Sequence, residues 1–269
     1  MKERTNYCEN LREHLSTRWV AQTIHYYDET DSTNLQAKLA AGEGVGEGML
    51  FVADRQTAGR GRRGRSWESP AGANIYFTLL LRPTFAPDMA PQVTLVMGLA
   101  VAEAIREYCG LDVRIKWPND VVIGGKKVCG ILTELGLQGS DIDHLIVGVG
   151  INVDRQEFPV EIAMTATSLE AEKDSEIDRT GLLACVMERF EVLYEEFKQA
   201  GGLNKLRERY DALLINRNRE VRVLDPKGEY TGIARGISNE GELIVEREGG
   251  SLEAVYAGEV SVRGVYGYV

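Results

Sequence analysis

The sequence predicts an α+β protein, a mixed sheet flanked by helices with a small β barrel at the end of the chain. Three observations carry that prediction. Up to about residue 215, strand-like runs rich in β-branched and aromatic residues are interleaved with segments of helical apolar period. From about Asn216 the helical period disappears, and short strands follow at close spacing, divided by Gly or Asp-Pro turns. The 269 residues, 43% hydrophobic and 27% charged, suffice for one large globular domain and a small one. The expected division is 1–215 and 216–269.

The elements follow in order. Leu11, Leu15 and Trp19 recur at helical spacing and predict a short amphipathic helix. "DSTNLQAKLAAG" predicts a helix ending at Gly42, with Thr33 and Gln36 spaced as a capping box. "MLFVAD" (49–54) and "NIYFTLLLRP" (74–83) predict strands on either side of an Arg/Gly loop. Residues 91–110 predict a helix opened by Pro91 and closed by Gly110. Residues 113–136 predict a strand, a turn and a strand, with a tight hairpin at Gly124-Gly125. "HLIVGVGINVD" (144–154) predicts a strand broken by its two internal glycines. Residues 180–202 predict an amphipathic helix and "LNKLRERYDALL" a second.

Composition narrows the function. No uninterrupted apolar run reaches about 20 residues, so no membrane span is expected, and the opening residues lack the apolar core of a signal peptide. Four widely spaced cysteines form no CxxC pair, and with three histidines they predict no zinc site and a cytoplasmic location. A net charge of −10 opposes a surface devoted to nucleic acid.

Against that charge, "TAGRGRRGRSW" (57–67) sets Arg60, Arg62, Arg63 and Arg65 among Gly59, Gly61 and Gly64. The run satisfies the GxGxxG pattern, but a dinucleotide motif must open a helix, and Pro70 and Gly72 forbid one here. Three readings of the residues stay open. The loop is solvated and pairs with surplus acids, or it is a nucleic-acid-binding module of Arg/Gly type, or it closes over an anionic small molecule. In the last case glycines admit phosphates to the backbone and guanidinium forks bind them.

"GRGRRGRSW" together with "KWPNDVVIGGKKVCGILTE", preceded by "DSTN" and followed by "GVGINV", resembles the biotin protein ligase family. The strong match runs from Ser32 to Asn152, with a weaker one to "AGEVSVR" near the end. The resemblance implies a biotin/lipoate ligase-like, class II synthetase-like sheet and an SH3-like C-terminal barrel. It also implies the activity: ATP and biotin give biotinyl-5′-AMP, and biotin then passes to a lysine of a biotin carboxyl carrier protein or carboxylase domain, with Mg²⁺ on the phosphates.

Residue by residue, the resemblance places Ser32, Thr33, Asn34, Gln56, Arg60, Gly61, Arg62 and Lys127 at biotin. It places Arg60, Arg62, Arg63, Arg65, Trp67, Lys116, Asn119, Asn152 and Arg263 at ATP or the adenylate. Lys127, Arg62 and Asn119 are the implied catalytic groups, and Asp120 the implied Mg²⁺ ligand. On chemistry alone, hydroxyl and amide groups suit a ureido ring, while a lysine after a turn is usually solvated. Lys126 is then the solvated neighbour of Lys127, and Trp117 a packed corner. The family implies a homodimer. About thirty residues precede "DSTN", too few for a winged helix, so no specific DNA binding is expected. Lipoate or octanoate transfer on the same fold is the competing chemistry.

Overall fold

A computed structural model describes residues 2–225, 228–257, 261–264 and 268–269. Its main sheet holds β1 (Ile24–Thr30), β2 (Leu50–Gln56), β3 (Asn74–Leu81), β4 (Arg114–Lys116), β5 (Asp120–Ile123), β6 (Lys126–Gln138) and β7 (Asp141–Asn152). The spatial order is β1-β2-β3-β7-β6-β5-β4. β1 and β2 run parallel and the remaining neighbours antiparallel, so the sheet is mixed.

Helices cover both faces. α2 (Thr33–Gly42) lays Ala37 and Ala41 on Phe51, Leu80 and Ile146. α3 (Ala90–Cys109) and α5 (Arg179–Ala200) pack together over the opposite face, which explains why every residue of β3 is buried. α3 ends as its sequence predicts, with Gly110 in the left-handed region at φ 70°. No uninterrupted apolar run reaches the length of a membrane span, but the helical segment Pro87–Cys109 is long and apolar enough, by length and composition, to cross a membrane. That window is 72% buried within the fold, as befits a core helix.

Three further differences have local causes. α1 (Lys2–His14) stops before Leu15 and Trp19, although the apolar period continues. The buried Glu191 carboxylate accepts backbone N–H bonds from Arg18, Trp19 and Val20, pulling those amides out of a helical ladder. β7 is continuous through Gly148 and Gly150, because both are paired on two sides, to β3 and to β6. The "KWPND" corner splits the first predicted strand of 113–136 into β4 and β5, with Lys116 opposite Asp120.

α4 (Leu169–Lys173) and α6 (Arg207–Leu213) complete the helices. The second sheet comprises β8 (Glu220–Leu224), β9 (Tyr230–Ile237), β10 (Leu243–Glu246), β11 (Leu252–Val255) and β12 (Ser261–Gly264). All its pairings are antiparallel, in the order β11-β10-β9-β8-β12. Alternate residues such as Val221, Val223, Leu243 and Val245 point into the common core. Hydrogen bonds that tie this sheet to the rest include one from Trp117 Nε1 to the Gly241 carbonyl at 2.9 Å and one from Ile237 N to Asp211 at 2.9 Å. Trp117 is thus the packed corner its sequence context predicts.

Candidate active site

A narrow recess of about 40 Å³ lies where α2 meets β6 and β7. Its walls include Ser32, Thr33, Asn34, Gln56 and Arg60, and its floor the glycines of β6 and β7. The expected capping box does not form: Ser32 takes the N-cap position and makes no side-chain cap. Asp31 instead accepts from the Ser32 amide at 2.6 Å and from Gln36 at 3.0 Å. Thr33 is thereby released to the recess, where Gln56 Oε1 accepts from its backbone amide at 2.9 Å. The Gln56 amide donates to Ser69 at 3.0 Å, which fixes which way round it lies.

Glycines make this site possible at two places. A Cβ on Gly148 would lie 1.9 Å from Asn34 Oδ1, and one on Gly150 would lie 2.4 Å from the Trp67 indole nitrogen. Gly130, paired with Gly150 across the sheet, bears the other edge of the same indole. The Trp67 N–H is buried and has no hydrogen-bond partner among the described residues.

The Arg/Gly loop is folded on itself. Gly61 N donates to the Arg65 carbonyl at 2.7 Å and Trp67 N to the Gly59 carbonyl at 2.9 Å, with Arg63 left-handed at φ 60° between them. Arg62 points inward. It donates to Asn119 Oδ1 at 2.9 Å and to the Ala257 carbonyl, and burial lowers its basicity. Asn119 is itself held by Ile131, donating to that carbonyl at 3.1 Å. Arg63 and Arg65 remain exposed along a cleft of about 920 Å³ that also reaches Lys116, Asn152 and Arg263.

In the lining of that cleft, Lys127 Nζ lies 2.6 Å from Asp120 Oδ1 and 5.2 Å from the Trp67 ring. The Lys127 backbone is clamped to a loop: its amide donates to the Thr165 carbonyl at 2.7 Å, and its carbonyl accepts from Thr167 N at 2.9 Å. Asn152 serves this clamp, donating to the Thr167 carbonyl at 3.0 Å. Lys126 faces solvent. Asp120 also accepts from the Tyr268 hydroxyl, and Lys116 Nζ sits 3.6 Å from the centre of that ring. Burial pushes the Asp120 carboxyl up, but Lys127 and Lys116 outweigh it and hold the carboxyl below the usual range.

Burial pulls Lys116 down to about 8, against the opposing pull of Asp120, with Lys127 and Arg263 lowering it further. Lys116 therefore carries its charge at neutral pH and loses it as pH rises through that value. Binding of ATP to the free protein is expected to weaken about tenfold between about pH 6.5 and pH 9.5, the worth of one charge-assisted contact. Calorimetric titration across that range checks this, and Lys116→Met is expected to flatten the dependence.

Asp120 does not have the surroundings of a resident metal ligand. Its Oδ2 accepts from Tyr268, its Oδ1 lies in an ion pair with Lys127 without a hydrogen bond, and cations surround it. Among the described residues no three His, Cys, Asp or Glu side chains converge. In this arrangement Asp120 stands in an ion pair with Lys127. The structure also brings in Thr78, Glu134 and Tyr268, which sequence reasoning had not singled out. Thr78 carried a signal, being the lone polar group within the apolar run "IYFTLLL".

Comparison with known proteins places the chain in a family. The model of the biotin/lipoate A/B protein ligase family matches residues 28–152, and that of the biotin protein ligase C-terminal domain matches residues 218–263. The bifunctional ligase/repressor BirA of Bacillus subtilis is 38% identical over 256 residues, 94% of this chain and 78% of that protein. The biotin–[acetyl-CoA-carboxylase] ligase of Paracoccus denitrificans is 34% identical over 239 residues, covering 86% of this chain and 97% of that one. The biotin protein ligase from Aquifex aeolicus, solved in complex with biotin and ATP, has a TM-score of 0.79 at 35% identity. It covers 90% of this chain, which covers 99% of it. Fold and site together define a protein ligase of the biotin/lipoate class. Within that class, the chain belongs to the biotin protein ligase family.

Proposed function

We propose that this protein activates biotin with ATP and passes it to a lysine of a biotin carboxyl carrier protein or carboxylase domain. One observation carries the reading: Arg62 of "GRGRRG" meets Asn119 of "KWPND" at 2.9 Å, in a cleft that Lys127 also lines. In the first step a carboxylate oxygen of biotin attacks the α-phosphorus of ATP, and pyrophosphate leaves. In the second the carrier lysine attacks the acyl carbon of the mixed anhydride, and AMP leaves. The first step brings like charges together, so it rests on placing cations before the reactants arrive; in the second the carrier lysine attacks as the neutral amine and gives up a proton as the amide forms.

The recess with Ser32, Thr33, Asn34 and Gln56 is read as the seat of the ureido ring. Lys127 lies where it can bridge the biotin carboxylate and the α-phosphate, with Arg62 and Asn119 fixing the phosphoryl group. Arg63, Arg65, Lys116 and Arg263 supply charge along the triphosphate, Arg60 adds its charge from the recess, and Asn152 holds the loop that clamps Lys127. At about 40 Å³ the recess is far smaller than the roughly 300 Å³ of a small-molecule site. Entry of a bicyclic ring therefore involves movement of Trp67 or the Arg/Gly loop, whose return would shield the anhydride from water. Mg²⁺ is read as part of the ATP substrate.

A cytoplasmic location belongs to the same reading, supported by sparse, widely spaced cysteines. So does a homodimer, supported by the exposed Leu135 and Leu137 at the end of β6. The net charge of −10 supports a protein without specific DNA binding.

ATP–pyrophosphate exchange with biotin, lipoate, octanoate or no acid tests the reading. Exchange dependent on biotin is expected. Exchange with lipoate or octanoate instead would move the chain to the other chemistry of its class, and no exchange with any acid would remove the adenylation mechanism.

A further inference from the structure

Behind Thr33 runs a chain of hydrogen bonds that ends on a carboxylate. Thr33 Oγ1 and Thr78 Oγ1 are 2.8 Å apart, and Thr78 Oγ1 lies 2.7 Å from Asn34 Oδ1. Asn34 Nδ2 donates to Glu134 Oε2 at 2.7 Å and lies 3.5 Å from the Leu132 carbonyl. Thr33, Asn34 and Thr78 are buried. Asn34 reaches this position only because Gly148 has no side chain.

The direction of each bond follows from the last. An ionised carboxylate only accepts, so the Asn34 amide must turn its NH₂ to Glu134 and its oxygen to Thr78. Thr78 has one proton, which that oxygen takes, leaving Thr78 only lone pairs to offer Thr33. Gln56 Oε1, 3.2 Å from Thr33 Oγ1, is an acceptor too. The Thr33 hydroxyl proton is therefore claimed from within the protein on two sides. Toward the recess Thr33 Oγ1 presents lone pairs, the arrangement that takes up an N–H donor.

We propose that Glu134 is a positioning residue that, through Asn34 and Thr78, sets Thr33 as a hydrogen-bond acceptor for a ureido N–H of biotin. The proposal rests on the biotin reading of the recess. Glu134 lies on β6 beyond the recess and touches neither proposed substrate. It has a second neighbour, the Arg60 guanidinium at 4.0 Å, so a simple loss of affinity on mutation has two explanations. The experiment separates them.

Exchange kinetics are measured for the wild type, Glu134→Met, Glu134→Gln, Thr33→Val and the double variant Glu134→Met/Thr33→Val. Glu134→Met is expected to raise the KM for biotin about tenfold while kcat and the KM for ATP stay within about twofold. Glu134→Gln can still turn an oxygen to Asn34, but carries no charge for Arg60, and its KM for biotin is expected within about threefold of wild type. In the Thr33→Val background Glu134→Met is expected to have little further effect, since the group it orients is gone. Additive effects, or a Glu134→Gln as impaired as Glu134→Met, would overturn the proposal in favour of the Arg60 contact. Should Glu134→Met fail to fold, Thr78→Val interrupts the same chain. It must raise the KM for biotin in the same way, and an unchanged KM sinks the idea. A wild type without biotin-dependent exchange would instead dispose of the underlying reading, so the two failures are distinct.

Discussion

Replacing Lys127 by methionine is expected to lower biotin-dependent ATP–pyrophosphate exchange by a hundredfold to a thousandfold, while Lys126→Met leaves it within about twofold. The size is that of removing a preorganised charge from a site where charge develops. Lys127 is preorganised in a specific sense: Thr165 and Thr167 hold its backbone on both sides, and Asp120 holds its ammonium at 2.6 Å. Methionine keeps most of the aliphatic stem against Trp67 but removes the cation. It also leaves Asp120 with one fewer counter-charge, facing the place where the phosphates are to sit, so repulsion adds to the lost attraction. The side chain of Lys126, one residue away, points to the other face of β6 and into solvent. The pair therefore tests the register as well as the role. If Lys126→Met were the damaging change and Lys127→Met the harmless one, the site would have been built on the wrong face of the strand. Thermal melts of both variants, run alongside, separate lost chemistry from lost fold.

Much of this site was legible in the sequence because it resides in short contiguous motifs. "GRGRRG" and "KWPND" each announced themselves, and the resemblance they carry supplied most of the residues that the fold brings to one cleft. What no local pattern could show is how the motifs meet. The Arg62–Asn119 bond spans 57 positions, and the Tyr268–Asp120 bond spans 148. Glu134 sits in "GILTEL", where an acid at alternate spacing reads as the solvated face of a strand, and only the proximity of Asn34 on α2 gives it a partner. Two misjudged elements have the same origin. Gly148 and Gly150 suggested a break because their strand's pairing on both sides is invisible from within 144–154. Leu15 and Trp19 kept the helical period, but the carboxylate that unwinds the chain there belongs to α5, over 170 residues on. β1, "IHYYDET", was missed because, as the edge of the sheet, it buries only part of its length and its polar end masks the alternation.

Asp120→Ala is expected to move stability and triphosphate binding in opposite directions, and that opposition identifies what the carboxylate does. Its buried oxygens partner Lys127 and the Tyr268 hydroxyl, with Lys116 close by. Removing one member of a buried ion pair costs about 3–5 kcal/mol, because the group left behind has given up water for nothing. For a chain of this size that is a fall in melting temperature of about 6–20 °C. The pH dependence follows in sign. The folded-state carboxyl is held below its usual range, so the stability it contributes is present above the unfolded pKa, near 4, and is lost as pH falls through the folded value. The gap between wild type and variant should thus be wide at neutral pH and close in acid. Binding runs the other way. Asp120 is the carboxylate that pairs with Lys127, and without it that ammonium faces the cleft uncompensated, while Lys116 loses the pull that opposes its burial. Affinity for ATP measured without added metal is expected to rise about threefold to tenfold over the wild type. A carboxylate serving as a metal ligand would give the reverse with Mg²⁺ present, a variant that binds MgATP more weakly than the wild type and has lost the benefit of the ion. Calorimetry with and without Mg²⁺ reads both cases. Tighter binding in a less stable protein assigns Asp120 to the lysines, and weaker, Mg²⁺-insensitive binding assigns it to the metal.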